Sequence, residues 1–82
     1  MRLVKAIAHE RYLIQIHQYN GKYILKIELD GFEQLFKVSE LEINIDDLQN
    51  NLSSEFLLNC LNRFISTRSD WEKLTSKTKL KL

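Results

Sequence analysis

The sequence contains no proline, two glycines and one cysteine in 82 residues. Each shortage excludes something. With no proline, and only Gly21 and Gly31 available for positive-φ turns, the chain suits a few long elements rather than many loops. A lone cysteine, Cys60, cannot form an internal disulfide, and a reducing, cytoplasmic compartment is the expectation. No apolar run approaches the 18 or so residues that a membrane helix requires. The opening run, Met1 to His9, does not read as a signal peptide, because its apolar stretch is short and Lys5 interrupts it.

What is present is ordinary globular composition: 44% apolar and 28% charged residues, with a net charge of +1. One domain over 1–82 is expected. A chain of this size buries only about 60% of its unfolded surface, so association with a partner or a second copy would add useful burial. The charge is sorted along the chain. Residues 1–37 carry six basic and four acidic side chains. Residues 38–62 carry five acidic (Glu40, Glu42, Asp46, Asp47, Glu55) and no basic ones. Residues 63–82 carry six basic and two acidic ones.

Two dipeptides organise the first half. Asn20-Gly21 and Asp30-Gly31 suit type I′ hairpin turns, in which both central residues need positive φ. A two-residue turn fixes which residues oppose each other. Around the first, Tyr19 faces Lys22, Ile16 faces Leu25 and Ile14 faces Ile27. Around the second, Leu29 faces Phe32, Ile27 faces Gln34, Leu25 faces Phe36 and Tyr23 faces Val38. The two registers agree. One face collects Tyr12, Ile14, Ile16, Tyr23, Leu25, Ile27, Leu29, Phe32, Phe36 and Val38; the other is mostly polar. Strands are therefore expected over about 11–19, 22–29 and 32–38.

A further strand is expected over about 2–9, with its register open. A two-residue loop at Glu10-Arg11 puts Leu3 and Ile7 on the core face; a three-residue loop puts Val4, Ala6 and Ala8 there. Residues 39–52 read two ways. Leu41, Ile43 and Ile45 alternate with polar residues, whereas Ser39-Glu40-Leu41-Glu42 fits a capping box. The β-branched Ile43 and Ile45 favour a short fifth strand, extending the sheet to about 45, with a helical turn near 46–51.

From Ser53 the period changes to that of a helix, expected over about 53–75. Ser53 or Ser54 can cap it, and Glu55 complements its dipole. On a wheel of 100° per residue with Leu57 at zero, Cys60, Leu61, Phe64 and Trp71 fall within about 60° and form a core stripe. Leu58 and Ile65 lie near +90°, Phe56 and Leu74 near −100°, roughly. That apolar arc of about 200° is wider than covering one sheet requires. Either the strand 2–9 or the 39–52 segment wraps the extra flank, or a partner does. The acid-to-base sorting along the helix suits an antiparallel homodimer, so the candidate self-association residues are Phe56, Leu58, Ile65, Arg68, Trp71 and Leu74. Arg68 lies inside the apolar arc, where it either snorkels as the helix leaves the core or meets a carboxylate across an interface. Residues 76–82, Ser-Lys-Thr-Lys-Leu-Lys-Leu, have no helical pattern and are expected to fray.

No catalytic, metal or nucleotide motif is present, and the chain is not expected to be an enzyme or to hold a metal or cofactor. His9 and His17 lack a third ligand at zinc spacing, and Cys60 sits in an apolar stripe, where a thiol is inert. Both glycines are used by turns, so no phosphate loop remains. The polar sheet face offers Lys5, His17, Tyr19, Lys22, Lys26 and Lys37 as a candidate surface for single-stranded nucleic acid, opposed by Glu28 and Glu33. Leu13, Ile24 and Leu35 on that face form a small apolar spot for a protein partner. In element order, a meander followed by one long helix, the chain resembles dimeric single-strand-binding transcriptional coactivator domains. That resemblance implies a dimer with a nucleic-acid-binding sheet.

The expectation is thus an α+β domain: a four-stranded antiparallel meander with one long amphipathic C-terminal helix on one face. It is read as an interaction module that self-associates through the helix, with single-stranded nucleic-acid binding as the alternative.

Overall fold

A computed structural model describes the backbone of residues 1–80 and the side chains through Ser76; the C-terminal helix continues to Leu80, past the end expected near 75, and of the tail expected to fray over 76–82 residues 81–82 lie outside the described residues. The order of elements is β1 (Arg2–Ile7), β2 (Leu13–Tyr19), β3 (Lys22–Leu29), β4 (Phe32–Ser39), α1 (Ile45–Asn50) and α2 (Ser54–Leu80). The strands form one antiparallel sheet in sequence order. The fold is α+β, as the sequence pattern implies.

Turn chemistry sets the register. Asn20 and Gly21 have φ of 50° and 73°, and Asp30 and Gly31 have 55° and 82°. These left-handed pairs match the twist of the flanking strands, so both hairpins close in two residues. Ile14 opposes Ile27, Ile16 opposes Leu25, Leu25 opposes Phe36 and Leu29 opposes Phe32. The apolar members then share one face, called here the helix side. Ile14, Ile16, Leu25 and Ile27 are buried there with Tyr12, Cys60 and Phe64.

The first strand combines both registers left open by the sequence. Ile7 opposes Ile14 and Lys5 opposes Ile16, whereas Leu3 opposes His17 and Arg2 opposes Gln18. The shift falls at Val4, a β-bulge. The extra residue moves Leu3 to the outer face, so Ile7 lies on the helix side and Leu3 does not.

Among the described residues no fifth strand forms. Beyond β4 the chain turns: Glu42 N–H donates to the Ser39 carbonyl, and Leu41 N–H donates to Ser39 Oγ. The alternation of Leu41, Ile43 and Ile45 is therefore not a strand pattern, and Leu41 is 94% exposed. Asn44 then caps α1, its Oδ1 accepting from Asp47 N–H at 2.8 Å, with Asp46 and Asp47 in the first turn. Ser53 caps α2 through Phe56 N–H at 3.1 Å.

Three polar contacts seat α2 on the sheet. Tyr12 Oη donates to the Leu57 carbonyl at 3.1 Å, Gln34 Nε2 donates to the Cys60 carbonyl at 2.9 Å, and Arg63 Nε donates to Gln34 Oε1 at 2.9 Å. At Arg68 the helix reaches the β3–β4 turn. A 27-residue helix is about 40 Å long, and an eight-residue strand about 27 Å. The helix therefore overshoots. The molecule measures 51 × 27 × 19 Å, with a radius of gyration of 15.5 Å where about 12 Å is usual for its length.

Candidate functional site

The self-association residues expected along the helix separate into three groups. Phe56 does not lie on a free flank: its ring packs edge-on to Phe36 at 5.4 Å, half-buried beside α1. The 39–52 segment does cover that flank, through Ile45, Leu48 and Leu52. On the opposite flank it does not. Leu58 and Ile65 are 55% and 59% exposed, and no described element lies over them.

Trp71 and Leu74 form the third group. Trp71 belongs to the core stripe by its wheel angle, yet it is 54% exposed and Leu74 is 58% exposed. The reason is length. The stripe continues along the helix, but the sheet ends at Asp30-Gly31. Trp71, Leu74 and Phe32 line an open-sided cavity of about 750 Å³ between that turn and the projecting helix, with Asp30, Asp70 and Glu72 at its border. Arg68 closes the corner. Its guanidinium pairs with Asp30 at 2.9 Å and with Glu72 at 3.2 Å. The carboxylates it meets thus belong to its own chain. Both ion pairs are well exposed and worth little individually.

The outer sheet face brings together most of the residues named for nucleic acid. Tyr19 opposes Lys22, and His17, Ile24 and Lys37 form one row. Lys26 stands in the next row with Gln15 and Leu35. Lys5 is corrected: it opposes Ile16, which places it on the helix side, because the β1 register at Lys5 follows the two-residue alternative. Lys26 is also neutralised, lying 3.3 Å from Glu33 and 3.9 Å from Glu28. The remaining basic character is confined to Lys22 and Lys37 beside His17 and Tyr19.

Ile24 is 6% exposed although it faces outward. His17 and Lys37 flank it in its row, and a lysine stem beside an apolar residue can cover it while the ammonium stays in water. A shallow groove of about 450 Å³ crosses this region, lined by Met1, His17, Tyr19, Ile24, Leu35 and Lys37 among others.

His9 has a local role that sequence reasoning missed. Its Nδ1 accepts from the Arg11 and Tyr12 N–H groups at 3.1 and 3.3 Å, closing a β1–β2 loop that has no glycine. Gln34 was legible: the hairpin register already set it opposite Ile27, on the helix side. The Asp30–Arg68 pair was not, since nothing local links residues 38 positions apart. Among the described residues, no group of three or more His, Cys, Asp or Glu side chains could hold a metal ion, and no helix is long and apolar enough to cross a membrane. Comparison with protein-family models, with curated proteins and with solved structures finds no match to this chain.

Proposed function

We propose that this protein is a non-enzymatic interaction module that self-associates through α2. The observation that supports this is the pair Leu58 and Ile65, two turns apart on one flank and each more than half exposed, on a helix that also carries Trp71 and Leu74 past the end of the sheet. Aliphatic and aromatic side chains presented in a row on a helix gain by burial, about 25 cal/mol per Å² of apolar surface removed from water. The α2 sequence begins with Glu55 and ends with several lysines, so an antiparallel copy sets opposite charges against each other at both ends. Light scattering across roughly a hundred-fold concentration range tests this, since association obeys mass action. The double variant Leu58→Lys/Ile65→Lys is expected to remain folded, with stability changed by about 0.5 kcal/mol or less, and to associate less than the native chain at every concentration. A native chain that stays monomeric at roughly 100 μM would sink the proposal.

A second reading is a single-stranded nucleic-acid surface on the outer sheet face. What favours it is the adjacency of Lys22, Lys37, His17 and the 54%-exposed Tyr19 ring. Bases stack on such a ring while lysines meet phosphate. A fluorescence titration with a single-stranded oligonucleotide at low salt, where phosphate contacts are strongest, is the test. No binding there removes the reading; binding that Tyr19→Ala and Lys37→Glu each weaken several-fold supports it.

A further inference from the structure

The two edges of the sheet are built differently. At β1 the edge is short, broken by the bulge at Val4, and carries Lys5 on the helix side. A bulge and an inward-facing charge are both devices that discourage pairing with another strand. At β4 neither is present. All eight residues Phe32–Ser39 pair with β3 without a register shift. Among the described residues, no backbone hydrogen bond from residues 32–38 leads anywhere outside the sheet. One side of β4 therefore presents a regular row of free N–H and C=O groups.

We propose that β4 is a strand-addition edge whose occupant is β4 of a second copy, paired antiparallel about a two-fold axis at Leu35. The side-chain pattern selects this partner and this register. Residues that oppose each other across a continuous sheet lie on the same face. Centring on Leu35 sets Glu33 against Lys37 of the second copy, twice by symmetry, on the outer face. On the helix side it sets Phe32 against Val38 of the second copy; both are half-buried in the single chain, and the pairing would remove more of their apolar surface from water. Moving the centre by one residue in either direction while keeping the faces matched opposes Glu33 to Leu35 or to Ser39, and the charge match is lost. Leu35, 52% exposed in the single chain, meets its own copy at the axis. This edge is separate from the Leu58 and Ile65 flank and does not depend on association through α2.

Cross-linking tests the register. Opposed residues have Cβ atoms about 4.5–5.5 Å apart, close to disulfide reach. In Leu35→Cys the new thiol is the accessible one, because Cys60 is fully buried. Mild oxidation with oxidised glutathione is expected to give a Leu35→Cys disulfide dimer. Leu41→Cys, at a 94%-exposed position off the strand, should give mainly the glutathione adduct. Equal dimer yields from the two variants would overturn the proposal. In the Leu35→Cys background, Lys37→Glu or Glu33→Lys turns both cross-strand pairs into like charges and should weaken dimerisation roughly ten-fold. Glu33→Lys/Lys37→Glu together should restore it. Glu33→Lys loses the contact with Lys26 in the single and the double variant alike, so restoration isolates the pair between copies. Single reversals without effect would overturn the register. These side chains are exposed, and far-UV circular dichroism confirms that the variants fold. The cross-link should survive Leu58→Lys/Ile65→Lys; its disappearance there would assign the contact to α2 and overturn the edge.

Discussion

Gln34 is a polar side chain on the apolar side of the sheet, and both ends of its amide are used. One end donates to the Cys60 carbonyl and the other accepts from Arg63, so a single residue of β4 fixes the position of α2 along its axis. An apolar residue here would pack, but it would not choose between positions a turn apart. Arg63 also lies 5.8 Å from the centroid of the Phe36 ring, which adds a cation–π contact to the same spot. Gln34→Ala removes both hydrogen bonds and part of the packing, and is expected to cost about 1–3 kcal/mol by urea denaturation. A loss below the error of that measurement would mean that apolar contacts alone seat the helix. His9 and Asn44 show the same economy, each satisfying backbone N–H groups where the chain changes direction.

Among the elements, the hairpins were the most legible because their information is local. Asn20-Gly21 and Asp30-Gly31 specify turn type, turn type specifies register, and alternation supplies the core face. The β1–β2 connection lacks such a dipeptide, and there the register could not be read: the strand accommodates two registers through a bulge. The 39–45 segment misled because alternation of apolar and polar residues is necessary for a strand but does not supply a neighbouring edge. Ser39 offered its hydroxyl and carbonyl to a turn instead, and Asn44 opened a helix. The start of α2 follows from Ser53, whose hydroxyl satisfies an otherwise unpaired N–H. Ser53→Ala should cost about 1 kcal/mol and speed hydrogen exchange at Phe56 before it affects Phe64. Uniform acceleration along α2 would count against a local cap.

For the whole molecule, the mismatch between a long helix and a small sheet has an optical consequence. Trp71 is the one tryptophan, and it is 54% exposed beyond the β3–β4 turn. Dilute protein should emit like a solvent-exposed indole. On concentration, association that covers the projecting part of α2 should shift the emission to shorter wavelength, and Leu58→Lys/Ile65→Lys should abolish the shift. A spectrum independent of concentration, alongside a rising mass by light scattering, would place the contact away from Trp71, as pairing through β4 alone would.

The sequence by itself determined the three strands joined by the two glycine turns, their register and their core face, and the presence of a helix more apolar than one sheet can cover. All of these rest on turn dipeptides and on periodicity, which act over a few residues. Only the tertiary structure decided which apolar residues stay uncovered. Phe56 and Trp71 both belong to the apolar arc of the same helix, yet one is packed against Phe36 and the other projects past the last strand. Coverage depends on where the sheet ends relative to the helix, and that is set by contacts such as Gln34 with the Cys60 carbonyl across 26 residues, not by any local pattern. The contrast between a bulged β1 edge and a regular β4 edge likewise became visible only once the strands were paired.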